Sequence, residues 1–200
     1  MRLALFLCAL LFTATPTLAA KTILVLGDSL SAGYGIRPEQ SWPSLLARRL
    51  QDNRLDYSVA NISISGETTA GGRSRLGPAL RQHKPAVVVI ALGANDGLRG
   101  LSIGQMRDNL NAMVDAAQAG GARVLLAGMR LPPNYGPYAT DFQATFPEIA
   151  RRKKTALLEF LIAPVAARNE LFLADGLHPG VEAQPLILDH VWPTLSPLLK

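Results

Sequence analysis

The sequence is poor in the residues that most ligand chemistries need. Its 200 residues include one cysteine, Cys8, and three histidines, His83, His178 and His190. A lone cysteine near the amino terminus excludes an internal disulfide and supplies no thiolate set for zinc. The dispersed histidines complete no metal site either, because Asp175 and His178 have no evident third ligand. Phosphate-binding loops are also missing: no Walker or G-x-G-x-x-G run follows a strand-like segment, and Gly33-Tyr34-Gly35 is too weak a substitute. Aromatic residues make up 6% of the chain, and none interleaves with a basic stripe, so nothing points to nucleic acid. Around Ser29 there is no G-x-S-x-G, since Ser31 stands where the second glycine belongs; this is not the nucleophile elbow of the α/β-hydrolases.

The amino terminus has the three parts of a secretory signal. Met1-Arg2 precedes an apolar run from Leu3 to Phe12, and Thr17-Leu18-Ala19-Ala20 offers small residues for cleavage, over a stretch too short to span a bilayer. Cleavage is expected after Ala19, with Ala20 as the alternative, and Cys8 leaves with the signal. Leu5-Phe6-Leu7 lacks the small residues of a lipoprotein site. The expectation is therefore a signal over 1–19 and one domain over 20–200, periplasmic or secreted, monomeric and without a stable membrane anchor.

Beyond that point strand-like and helix-like segments alternate, with no linker or repeat. Apolar strand-like runs fall at Ile23–Leu26, Tyr57–Asn61, Val87–Leu92, Val124–Gly128 and Ala156–Phe160. The third is too continuously apolar for a one-sided sheet and should be buried on both faces. Ile103, Met106, Leu110, Met113, Val114 and Ala117 recur at helical spacing, and Gly120-Gly121 supplies the stop. The alternation predicts a parallel α/β sheet with helices on both sides. Asn61-Ile62-Ser63 matches a glycosylation acceptor but ends a strand predicted to be buried, and is read as accidental.

Candidate chemistry sits where strands end. The run Ile23 to Ser31 carries Ser29 from an apolar strand into a small-residue turn, and a serine hydroxyl needs an adjacent base whose tautomer a third group fixes. Elimination among the histidines selects that base. His83 closes a helical run before Lys84-Pro85, and His190 lies in an apolar stretch, which leaves His178, with only two residues between it and Asp175. Gly66 and Asn95 lie on loops after the second and third strands and suit the donors that a tetrahedral oxyanion requires. In an open parallel sheet these loops share the edge that holds the ligand crevice. Singly, each has a structural alternative: a helix cap at Ser29, a turn glycine at Gly66, an ordinary turn at Asn95, a surface ion pair at Asp175 and His178.

Gly27-Asp28-Ser29-Leu30, Gly66, Gly93-Ala94-Asn95-Asp96 and Asp175-Gly176-Leu177-His178 together resemble the four blocks of the SGNH, or GDSL, hydrolases. Longer strings, Ser31-Ala32-Gly33-Tyr34, Gly97-Leu98-Arg99-Gly100 and Arg130 to Gly136, are similar to the periplasmic multifunctional esterases of the thioesterase I, protease I and lysophospholipase group. The resemblance implies a three-layer flavodoxin-like α/β fold and a serine esterase that needs no cofactor. It also implies Ser29 as nucleophile, His178 as base, Asp175 as its orienter, and Gly66, Asn95 and the Ser29 N–H as oxyanion donors. Implied substrates are acyl thioesters, lysophospholipids and aryl or short-chain esters. Ala94 departs from the second glycine common in the group but leaves the asparagine side chain in place. The alternatives are a polysaccharide acetyl esterase of the same fold and a carbohydrate- or lipid-binding protein without chemistry; the latter needs a missing catalytic residue, and none is missing.

The segment Leu131-Pro132-Pro133-Asn134-Tyr135-Gly136-Pro137-Tyr138 follows the fourth strand and is expected to overhang the same edge. Leu131, Pro132, Tyr135 and Tyr138 are read as an apolar surface for an acyl chain, against the alternative of a rigid connection. The formal net charge of +5 falls to +4 without Arg2. Its densest basic run, Arg151 to Lys154, follows Phe142, Phe146 and Ile149 and is read as the cationic end of a helix rather than a patch for transient contact with lipid surfaces.

Overall fold

The computed structural model describes residues 20–200. The signal reading, with Cys8 and the cleavage site after Ala19, lies outside the described residues. Five strands, β1 (Lys21–Gly27), β2 (Tyr57–Asn61), β3 (Val87–Ala91), β4 (Arg123–Ala127) and β5 (Ala156–Leu158), pair in the order β2-β1-β3-β4-β5, every pair parallel. This is a flavodoxin-like order, whose switch point lies between β1 and β3. Among the described residues the α-helices are α1 (Ser29–Ala32), α2 (Trp42–Asp52), α3 (Thr69–His83), α4 (Ala94–Leu98), α5 (Ile103–Ala119) and α6 (Pro137–Lys153) between strands and α7 (Ala183–Leu195) after β5. α2 packs with α7, while α3 packs with α5 and α5 with α6, giving the three layers expected.

Central β3, of sequence VVVIA, is buried at all five positions, as a strand covered on both faces must be. α5 turns Met106, Leu110, Met113, Val114 and Ala117 inward, and the Ser102 hydroxyl caps it by accepting the Gln105 N–H. The basic run closes α6, where Arg151, Arg152 and Lys153 occupy the last turn and meet the negative end of the helix dipole. His83 ends α3, and His190 joins its Nε2 to the Phe160 carbonyl at 3.0 Å.

Three expectations change. β2 is a half-buried edge strand, and Asn61 is exposed; its amide donates to the Ser31 carbonyl at 2.8 Å, so burial does not set the Asn61-Ile62-Ser63 run aside. β5 ends at Leu158 instead of Phe160, because the chain turns there and the Leu161 N–H returns to the Gly128 carbonyl. α6 begins at Pro137, so Tyr138 belongs to a helix and not to the preceding loop.

Candidate active site

Gly27 ends β1 and admits the turn that follows. A Cβ there would stand 2.8 Å from the Ser31 side chain, closer than packed atoms tolerate. Asp28 then caps α1, its Oδ1 accepting the Leu30 N–H at 3.0 Å, and Ser29 occupies the first helical position at the switch point. The Ser29 Oγ lies 2.9 Å from His178 Nε2, and His178 Nδ1 lies 2.7 Å from Asp175 Oδ2. Asp175 Oδ1 also accepts the Leu177 and His178 backbone N–H groups at 2.9 and 3.0 Å. These bonds lower its pKa from 3.8 to about 2, the His178 ring contributing most. An ionised Asp175 fixes the imidazole with Nδ1–H toward the carboxylate, leaving Nε2 to accept from the serine hydroxyl.

The loop that carries His178 is tied down from below. The Leu173 N–H donates to the His178 carbonyl at 2.8 Å, and the Gly180 N–H to Leu171 at 2.7 Å. Gln184, buried at the start of α7, donates to the Pro179 and Gly180 carbonyls at 3.0 and 3.2 Å and accepts the Trp42 N–H at 3.0 Å. Above the ring, Tyr34 stacks on His178 with centroids 4.3 Å apart.

Gly66 takes φ +79°, a left-handed conformation that glycine adopts without strain. Its carbonyl accepts from Arg99 Nη2 at 3.0 Å. Asn95 Nδ2 donates to the Glu67 carbonyl at 3.0 Å, which uses one of the two amide hydrogens and leaves the other free to donate. Beneath them, buried Asp96 accepts both the Thr69 N–H (2.9 Å) and the Thr69 hydroxyl (2.6 Å), locking the third block to the start of α3. Neither the Ser29 nor the Gly66 N–H finds a backbone acceptor among the described residues.

Ser29, Asn95 and His178 line a cavity of about 470 Å³ whose walls include Met129, Leu131, Pro132, Phe160, Ile162 and Phe172. The structure brings Leu131 and Pro132 into the wall but not the two tyrosines. The Tyr135 hydroxyl donates to the Leu98 carbonyl at 3.2 Å and that of Tyr138 to Leu101 at 2.6 Å, which anchors the segment to the loop around α4 instead of presenting rings to a ligand. Thr69, Gln184 and the remaining apolar wall carry no signal in the sequence that marks them for this place, whereas Asp28, Tyr34 and Asp96 stand within the strings that carry the resemblance. A separate open groove of about 610 Å³, lined by Arg37, Leu173 and Glu182 among others, shares Phe172 with the cavity but not Ser29, Asn95 or His178. No cluster of metal-binding side chains occurs among the described residues.

The GDSL-like lipase/acylhydrolase family matches over residues 25–184. Esterase TesA of Pseudomonas aeruginosa is 49% identical over 193 residues, 96% of each chain. The thioesterase 1/protease 1/lysophospholipase L1 of Escherichia coli K12 is 41% identical over 197 residues, covering 98% of this chain and 92% of that protein. The crystal structure of the psychrotrophic esterase EstA from Pseudoalteromonas, inhibited by monoethylphosphonate, superposes with a TM-score of 0.85 at 41% identity, covering 90% of this chain and 98% of the other. With its four sequence blocks gathered at one sheet edge, the chain belongs to the GDSL-like lipase/acylhydrolase family.

Proposed function

We propose that the protein hydrolyses carboxylic esters and thioesters of fatty acyl groups through a covalent acyl-enzyme on Ser29. The observation that carries this reading is the continuous Ser29–His178–Asp175 relay, 2.9 and 2.7 Å, at the mouth of an apolar cavity. His178 Nε2 takes the hydroxyl proton as Oγ attacks the acyl carbonyl, and returns it to the departing alkoxide or thiolate. Water then repeats the cycle on the acyl-enzyme. Asp175 holds the tautomer and stabilises the imidazolium. The Ser29 and Gly66 N–H groups and the Asn95 amide face the oxyanion, where one preorganised donor contributes about 3–4 kcal/mol.

Ser29 attacks the acyl carbonyl whether the leaving group is an alkoxide or a thiolate, which supports a broad range of acyl donors. An apolar wall suits an alkyl chain better than a sugar, and relatives named esterase, arylesterase and thioesterase/lysophospholipase agree with that choice. No helix among the described residues is long and apolar enough to cross a membrane, and the amino-terminal pattern supports export to the periplasm or medium. The test is hydrolysis of a chromogenic short-chain ester by wild type and Ser29→Ala. Loss of turnover in a variant with unchanged circular dichroism supports the reading, and more than a few per cent residual activity rejects it.

A further inference from the structure

Among the described residues, the large apolar side chains left exposed are Tyr34, Ile64, Leu98, Leu101, Leu177 and Val181. Every one lies on a segment that leaves a strand's carboxyl end: Tyr34 after β1, Ile64 after β2, Leu98 and Leu101 after β3, Leu177 and Val181 after β5. In an all-parallel sheet those ends share one edge. Single exposed apolar residues are ordinary on any protein, but here none falls on the outer helix faces or on the opposite edge. The active-site cavity opens within this rim, since Leu98 and Leu177 line it and Tyr34 covers His178.

Charge at the rim is arranged to match. Glu67 is paired with Arg75, Glu159 with Arg130, Glu170 with Arg168 and Asp175 with His178. Arg37 and Glu182 line the neighbouring groove without an ion pair between them and cancel one another only in formal charge. Arg99, by contrast, stands between exposed Leu98 and Leu101, touches the Gly66 carbonyl, and has no carboxylate within 4 Å among the described residues. A cation flanked by two outward leucines suits a boundary where apolar groups enter and the cation stays at headgroup level. From residue 20 onward the formal charge is +4, because Arg2 is the only charged side chain before Lys21, so the whole molecule is drawn to a negative surface.

We propose that this rim docks on the surface of an anionic phospholipid bilayer, seating the mouth of the cavity on the lipid plane so that an acyl chain passes from lipid to site without crossing water. The proposal deepens the esterase reading and rests on it for its purpose, although docking itself is measurable without turnover. The experiment uses Ser29→Ala protein and sedimented vesicles of phosphatidylcholine mixed with equal phosphatidylglycerol. Ile64 and Leu101 do not line the cavity, so the double variant Ile64→Ser/Leu101→Ser should bind these vesicles about tenfold or more weakly. The same pair of substitutions in the Ser29 enzyme should leave turnover of a dissolved short-chain ester unchanged. Equal binding by the double variant overturns the proposal. So does a larger loss of binding on Arg151→Gln/Arg152→Gln than on Arg37→Gln/Arg99→Gln, which removes the same two charges from the rim, because Arg151 and Arg152 close α6 at the opposite edge and would place the docking face there. A wild-type dimer in solution that the double variant converts to a monomer assigns the rim to a second copy of this chain and also overturns it. If the Ser29 enzyme fails to hydrolyse the dissolved ester, the esterase reading falls while the vesicle result still decides the docking.

Discussion

Asp28 offers a quantitative test of how the nucleophile's turn is built. It is 1% exposed; Oδ1 accepts the Leu30 N–H, and Oδ2 has no partner. Burial raises its pKa from 3.8 to about 6, against the Leu30 N–H and the charge of His178, which lower it. The folded chain therefore holds this proton more tightly than the unfolded chain. Its contribution to stability is fully present below the unfolded value and is lost as pH rises through the folded one. A displacement of about two pH units at about 1.36 kcal/mol each corresponds to about 3 kcal/mol. Asp28→Asn keeps an oxygen for Leu30 but cannot ionise, and any cost of its unpaired amide hydrogens is the same at every pH. The stability of the variant minus that of wild type should thus rise by about 2.5 kcal/mol between about pH 4 and pH 7.5, whatever its absolute value. Urea unfolding followed by the fluorescence of Trp42 and Trp192 at stepped pH measures the difference. A difference that stays flat across that range would falsify the assignment of a buried, proton-retaining carboxyl at the cap.

Asn95→Ala should lower kcat by about 10²–10³ with KM little changed; a variant with normal kcat and weakened binding assigns the amide to ground-state contact only. Asp175→Asn should cut turnover by up to about 10⁴ because the amide favours the wrong tautomer, and an unchanged rate means that another group orients His178. The wild type's stability advantage over Asp175→Asn should be present above pH 3.8 and vanish as pH falls through about 2, where the carboxylate that His178 stabilises is protonated. Replacing Pro133 through Tyr135 with a glycine-serine linker removes Pro133 from the cavity wall and the Tyr135 anchor on Leu98. Each methylene buried contributes about 0.8 kcal/mol, so the long-chain to short-chain ratio of kcat/KM should drop, and a constant ratio with surviving activity excludes this segment from the acyl groove.

The layers were legible because each rests on local pattern. β3 reads as a doubly covered strand from its unbroken apolar run, and α5 from apolar residues at helical spacing with a glycine stop. Ser29, Gly66 and Asn95 were legible for a related reason: each is in a short block that follows a strand, and a parallel sheet brings those ends together, while Asp175 and His178 stand together on one short turn between β5 and α7. What escaped depends on which segments meet across the fold. Gln184 reaches the His178 loop from α7, Thr69 meets Asp96 from another helix, and Phe160 and Phe172 enter the cavity wall from chain turns that no periodicity marks. The tyrosines at 135 and 138 were read as ligand surface because aromatic area near a site suggests contact, whereas their hydroxyls bond to backbone carbonyls. Whether β2 is central or at the edge is likewise set by strand order, which its own residues do not encode.

The central claim, that Ser29 is the nucleophile of a Ser-His-Asp triad, is tested most directly by intact-protein mass spectrometry after reaction with a fluorophosphonate. One adduct per chain, located on the peptide that contains Ser29 and absent from a folded Ser29→Ala variant, is the predicted result. An adduct on a different residue, or the same labelling of wild type and variant, contradicts it.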